Sequence, residues 1–460
     1  MSINTTAVQG SHTIEKLKFT LVIITSMGML YNNIIFGKIG TYPFSLPLIF
    51  TVLFYLLCIP DWLAQDAKIR SPFFLPVIVL LIYQFIVHGW IMEGLYNIEW
   101  VRSFALLTLY GGIFLVSGPI KMSRSILPTL ARIIVWISII MGSVGIIQFA
   151  LANMIGWQPQ LLPEALLLRI VDLRSDSLRF GGIVRATGLA YEPSFYGTGM
   201  VMALSFQFIF LDWYPDVLKG VRFSRIAMVL ALGGLIASLS LAAWGVMGVI
   251  LILRQLNAIN SKNFFRGIMG LAVLSVFIIP LWPKIENRWT TGNDYSMIHR
   301  IWSSIELIVA PGEDLLSSLI GTGVGLDSTS ARVWEVFISN LNADFIEYLS
   351  TAEIAISIVN GFSYIAVSSG WIGLAVNIAF VLAAFRFSIA EMKRYPYILA
   401  AIVGYFFTNA RYLWPEWWFL LLMIVNLYDG KFQNAVIYSR KYTEPARRKV
   451  QYKAFPLQKF

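Results

Sequence analysis

Residues 181–200 read Gly-Gly-Ile-Val-Arg-Ala-Thr-Gly-Leu-Ala-Tyr-Glu-Pro-Ser-Phe-Tyr-Gly-Thr-Gly-Met. The stretch carries a polar, arginine-rich loop straight into an apolar run, with Pro193 at the point where a helix would begin. Proline is tolerated in a first helical turn because the N–H it lacks has no intrahelical partner there. Arg185 and Glu192 flank that start. A cation and a carboxylate beside a helix N-terminus, whose partial positive charge favours anions, form a candidate anion-handling site.

The surrounding composition places that helix in a membrane. Of the 460 residues, 57% are hydrophobic and only 13% charged, with a mean hydropathy of +0.70. A soluble chain carries about 25% charged residues. Apolar runs of about 20 residues recur along the whole length, which predicts an all-α, polytopic membrane helical bundle forming a single integral membrane domain over 1–460. The alternating pattern of an outer-membrane barrel is absent. Spans are expected at about 19–36, 43–60, 73–92, 103–118, 133–154, 194–211, 226–239, 241–253, 267–283, 363–385, 396–408 and 415–428, about twelve in all. The segments 226–253 and 396–428 each read either as one long tilted helix or as a hairpin of short ones. The single cysteine, Cys58, excludes an internal disulfide framework and a cysteine-based metal cluster. His12, His88 and His299 are scattered, and His88 reads as buried in the third span, so no metal and no cofactor is expected. Met1–Leu17 is polar and no small-residue cleavage site follows the first apolar run, so no cleavable signal is expected.

Charge sets the expected orientation. With twelve spans and both termini cytoplasmic, most of the 35 basic residues, including a basic tail at 429–460, fall on the inner side. Reading 226–253 as one span would move Arg254, Lys262 and Arg266 outward against that rule, so the hairpin is the better reading. The net charge of +10 is then mainly a topology signal, with a tail lying near anionic lipid. Two larger loops, about 155–192 and 284–362, face outward. The outward basic residues are nearly all arginine, which offers a planar fork suited to phosphate and carboxylate. Four of them, Arg169, Arg174, Arg179 and Arg185, cluster before Pro193. Pairing with Glu164, Asp172 and Asp176, or snorkelling at the interface, explains Arg169 and Arg174 as well as anion binding does, and explains Arg179 and Arg185, closest to the membrane, less well.

The second loop contains Asn-Asp-Tyr-Ser-Met-Ile-His-Arg-Ile-Trp at 293–302, an expected amphipathic helix at 299–309, and a helical stretch near 331–356. Between them lies Ile-Gly-Thr-Gly-Val-Gly-Leu-Asp at 320–327. Its spacing is wrong for a dinucleotide fingerprint and no strand precedes it, so it reads as a tight turn. The loop's Trp, Tyr and Phe residues suit stacking on sugar rings or anchoring at the interface.

Residues 185–197, Arg-Ala-Thr-Gly-Leu-Ala-Tyr-Glu-Pro-Ser-Phe-Tyr-Gly, resemble the signature of the O-antigen polymerase and ligase superfamily of bacterial envelope proteins. Further similar elements follow in the same order. Ala237-Ser238-Leu239-Ser240 resembles a serine-containing break in a helical pair. Arg300-Ile-Trp with Gly321–Gly325 resembles elements of the large periplasmic loop. Asn360-Gly361-Phe362-Ser363-Tyr364, with Gly370 and Gly373, resembles a segment that re-enters the membrane. The resemblance covers about residues 130–428. Two positions depart from the pattern: Val359 stands where ligases carry histidine, and Leu241 where an arginine often follows the serine. The first departure favours polymerase over ligase.

The resemblance implies a GT-C-like fold and a metal-independent glycosyltransferase in the bacterial inner membrane. Its substrates would be oligosaccharide repeat units on undecaprenyl pyrophosphate, polymerised at the periplasmic face for O-antigen, capsule or exopolysaccharide. Membrane lipid, a chain-length regulator and a flippase are the implied partners, and nucleic acid is not. Arg185 and Arg300, supported by Arg179, Arg411 and Tyr364, are the candidates for binding pyrophosphate and substrate. Arginine forks stabilise charge as the glycosidic C–O bond breaks. Glu192 is the first candidate for the group that takes the acceptor proton, with His299 and Asp294 in reserve. An O-antigen ligase and a repeat-unit flippase are the competing readings. Against the flippase, no internal repeat is apparent and the polar residues concentrate in two loops on one side.

Overall fold

The computed structural model describes residues 5–32, 34–39, 42–64, 74–117, 125–157, 179–180, 182–190, 192–257, 283, 303–326, 330–340, 358, 360–385, 395–408, 413 and 415–427. The chain is an all-α membrane protein, mostly helical. Its helices are α1 (Thr5–Ser26), α2 (Leu46–Ala64), α3 (Phe74–Tyr83), α4 (Ile98–Gly111), α5 (Ile113–Val116), α6 (Leu127–Ala150), α7 (Pro193–Trp213), α8 (Pro215–Lys219), α9 (Ser224–Ala237) and α10 (Leu241–Asn257). They continue with α11 (Ser303–Val309), α12 (Leu315–Ile320), α13 (Ala331–Asn340), α14 (Gly361–Phe385), α15 (Pro396–Thr408) and α16 (Pro415–Leu427). Among the described residues, four helical stretches are long and apolar enough to cross a membrane: Ile98–Val116, Leu127–Ile155, Pro193–Trp213 and Gly361–Leu382. Two short antiparallel ribbons add to the helices: β1 (Ile35–Ile39) with β2 (Tyr42–Ser45), and β3 (Arg179–Phe180) with β4 (Ile183–Val184). The expected span at 267–283 and the tail at 429–460 lie outside the described residues, except for Pro283.

The first span differs from the hydropathy reading. Residues 19–36 are uncharged and mostly apolar, yet α1 ends at Ser26 and a 3₁₀ turn follows at Gly28–Leu30. Tertiary contact breaks it there. A Cβ on Gly28 would lie 2.6 Å from Glu416 Cγ, and one on Gly199 would lie 2.5 Å from Leu30 Cδ2. The turn is wedged between α7 and α16, where continuing side chains have no room. Hydropathy also misses the widened π turns that extend α3 over Gln84–Ile91 and α6 over Leu151–Ile155. Such turns change the backbone bonding but not the apolar pattern.

The centre of the bundle is α7, whose residues are almost all buried, so its surface meets protein on every side. A helix apolar all round is what such a position requires. Glycines bring its neighbours close. Tyr196 of α7 fits a slot lined by Gly145 of α6, Gly188 and Gly234 of α9. A Cβ on Gly188 would lie 2.7 Å from the ring, one on Gly234 2.6 Å from the hydroxyl, and one on Gly145 would fall on the hydroxyl itself. That hydroxyl donates to Met141 O at 2.7 Å. Close approach at small residues is the usual way helices associate where no water drives them together.

Helices α9 and α10 form the expected hairpin. At 14 and 17 residues they run about 21 and 26 Å. The apex, Ser238–Ser240, meets Gly197 near the start of α7: a Cβ there would lie 2.8 Å from Ser238 Oγ and 3.1 Å from Ser240 Cβ. The far end of α10 returns to the far end of α7, where Arg254 grips Asp212 through Nε at 3.0 Å and NH2 at 2.7 Å. Tyr397 of α15 donates to the same carboxylate at 2.7 Å. Trp244 Nε1 donates to Leu235 O at 2.9 Å, bracing the two arms across the apex.

In the loop read as 284–362, helix α11 fills part of the amphipathic stretch expected at 299–309, and α13 part of that near 331–356. Helix α12 starts from a capping box in which Asp314 accepts from Ser317 N at 2.7 Å. Those bonds hold the Asp314 carboxyl below the ordinary carboxylate range. The glycine run is the tight turn expected, with Gly321, Gly323 and Gly325 all at positive φ. It docks on α14 where Gly370 breaks that helix at φ 65 and ψ −173. Thr322 N donates to Val367 O at 2.8 Å and Gly323 N to Ser368 O at 2.9 Å. From α3 and its π turn, Tyr83 donates to Ser369 O at 2.9 Å and His88 Nε2 to Ile320 O at 2.7 Å. His88 is therefore a buried joint between a membrane helix and this loop, 1% exposed.

Candidate functional site

The loop before α7 is held in place from two sides. Asn153, in the π turn that ends α6, brackets Val184 as a strand partner would. Its Oδ1 accepts from Val184 N at 2.8 Å and its Nδ2 donates to Val184 O at 2.9 Å. One turn earlier Gln148 Oε1 accepts from Thr187 N at 2.9 Å and from Gly188 N at 2.8 Å. On the other side the hairpin apex supplies two carbonyls. Ala186 N donates to Ala237 O at 2.9 Å, and Arg185 Nε donates to Ser238 O at 3.1 Å. Arg185 is half-buried at this junction.

The apex is strained. Leu239, a buried non-glycine residue, stands at φ 46. Left-handed backbone at such a residue costs of order 1–3 kcal/mol and persists only where the surroundings impose it. Ser238 Oγ donates to Leu235 O at 2.6 Å, and Ser240 Oγ accepts from Ala243 N at 3.4 Å, capping α10. The consequence is that α10 begins directly against Gly197, beside the beginning of α7. The N-terminus of α10 therefore lies next to Arg185, with the early turns of α7 packed against the same apex at Gly197. Both that N-terminus and the guanidinium favour an anion there.

Glu192 is the N-cap residue of α7, in extended backbone at φ −145 and ψ 158. Its side chain is half-buried, and Oε2 accepts from Ser194 Oγ at 3.3 Å. Deeper along α7, Thr198 Oγ1 donates to Ser194 O at 2.9 Å and lies 3.3 Å from Thr408 Oγ1 of α15. The polar character of the helix start thus continues one turn into the bundle.

Other expected site residues are placed as follows. The backbone of Arg179 pairs with Val184, next to Arg185, through the β3–β4 ribbon. Tyr364 is buried on α14, where its hydroxyl accepts from Gly325 N at 3.1 Å and fastens the glycine turn. Arg300, Arg411, His299 and Asp294 lie outside the described residues. Gln148 and Asn153 were not singled out in the sequence, although a glutamine in an apolar helix is a visible signal. Among the described residues no three His, Cys, Asp or Glu side chains gather closely enough to hold a metal ion. No family model matches the chain, and no curated protein matches it.

Proposed function

We propose that this protein is a glycosyltransferase that polymerises lipid-pyrophosphate-linked oligosaccharide repeat units at the periplasmic face of a bacterial inner membrane. The observation that carries the reading is Arg185, fixed against Ser238 O where α10 begins beside Gly197, one turn into α7. That arrangement suits a pyrophosphate leaving group arriving from a lipid phase. In the proposed step an acceptor sugar hydroxyl attacks the anomeric carbon of the donor chain. The new glycosidic bond forms as the bond to pyrophosphate oxygen breaks. Lipid pyrophosphate leaves with the electron pair, its charge met by Arg185 and the α10 dipole, and Glu192 takes the acceptor proton. The absence of histidine at Val359 favours polymerase over ligase.

The test is the glycan profile of a deletion strain, with and without the wild-type gene restored. Single repeat units after deletion, with long chains only on restoration, are expected. Long polymer left on its lipid carrier would make the protein a ligase, and repeat units trapped on the cytoplasmic side would make it a flippase. Within the polymerase reading, Glu192→Gln is expected to lower turnover by about 10²–10⁴-fold, the range of general acid–base contributions. Binding of the lipid-linked substrate should survive, and wild-type turnover would move the proton acceptor elsewhere.

A further inference from the structure

We infer that Gln148 and Asn153 are positioning residues that set Arg185 for its task through the backbone on either side of it. The inference rests on the reading of Arg185 given above. Neither side chain hydrogen-bonds to Arg185 itself. Asn153 holds Val184, the residue before it, through both backbone polar groups, and Gln148 holds the amides of Thr187 and Gly188 just after it. Between those clamps, Ala186 N is tied to Ala237 O. Four of the five residues from 184 to 188 are thus bonded through their backbone, while the loop carries little regular structure of its own.

Gln148 is suited to this work. It is 5% exposed, so its amide would be costly to bury without partners. One carbonyl oxygen takes two adjacent N–H groups, and Nε2 also donates to Thr187 Oγ1 at 3.3 Å. Gly188 stands at φ 58, which lets the two amides converge on one oxygen. The adjacent Tyr196 ring packs against that glycine, so the loop cannot slide over α6 without displacing α7. Displacement of a binding group by about 1 Å can cost about 10²-fold in rate.

The experiment uses the full chain purified in nanodiscs and compares wild type with Gln148→Leu, Gln148→Glu and Asn153→Ala. Hydrogen exchange over residues 182–190 is read first. Gln148→Leu is expected to speed exchange there about tenfold or more, and Gln148→Glu, which keeps both acceptor positions, to restore protection. Asn153→Ala should raise exchange at Val184. Unchanged exchange in Gln148→Leu overturns the inference whatever reaction the protein performs. The second reading is a double-mutant cycle on chain elongation. Gln148→Leu should lower turnover by about 10–100-fold in the wild type and cause no further loss in the Arg185→Ala background. A further loss in that background would show a general structural role and overturn the positioning assignment. Wild-type elongation by Arg185→Ala itself would instead defeat the reading of Arg185, leaving the exchange result to decide whether Gln148 orders the loop.

Discussion

Replacing Arg185 by alanine is expected to abolish long-chain glycan while the protein still reaches the membrane at normal abundance. The size of the effect follows from what is removed. An arginine facing developing charge is expected to contribute about 10²–10³-fold to turnover, as single donors to an oxyanion do. Here the α10 dipole remains, so some residual elongation is expected rather than none, visible as short oligomers of a few repeats. Arg185→Lys should recover part of the loss, because charge is kept while the planar fork and the Nε bond to Ser238 O are not. Stability should change little: the side chain is half-buried, and the loop retains its bonds to Asn153, Gln148 and Ala237. Normal chain length in Arg185→Ala would remove the central residue of the proposed function.

Much of this arrangement is legible in the sequence. Pro193 marks the start of α7 because a proline in the first turn breaks no hydrogen bond, and the helix does begin there. The span expected at 396–408 matches α15, an uninterrupted apolar run with a proline at its first residue. The hairpin at 226–253 follows from the positive-inside rule, since a single span would carry Arg254, Lys262 and Arg266 outward, and the structure brings Arg254 back to Asp212 at the far end of α7. What is not legible depends on contacts distant in sequence. Gly28 is a weak local signal for the end of α1, and the close approach of Glu416 and α7 that fills the turn is not visible in the sequence. The β3–β4 pairing that brings Arg179 beside Val184 spans too few residues to leave a periodic signal. Gln148 and Asn153 are single polar residues in an apolar helix and its end. Their meaning appears only once the loop that each holds is folded against them.

The fold itself is most exposed to failure at Gly145. A methyl group there would occupy the position of the Tyr196 hydroxyl, 2.8 Å from the ring's Cε1. Gly188 and Gly234 also pack against the ring and its hydroxyl, and the hydroxyl donates to Met141 O. Gly145→Ala must therefore push α6 away from α7 or drive Tyr196 out of its rotamer. Overpacking of this kind costs about 1–3 kcal/mol, occasionally more. The cost falls on the contact that also carries Gln148, three residues along the same helix. The variant should show a lower unfolding temperature in detergent, together with reduced chain elongation. Tyr196→Leu removes the obstructing ring and is expected to destabilise by about 2–4 kcal/mol through the cavity it leaves and the hydrogen bond it loses. The combination separates a steric clash from a general intolerance of change. If the methyl and the ring compete for one space, Gly145→Ala added to Tyr196→Leu should cost nothing further and should recover some stability by filling the slot. If the two losses simply add, Gly145 matters for another reason. An unfolding temperature equal to wild type for Gly145→Ala alone would mean that the slot is looser than its glycines indicate.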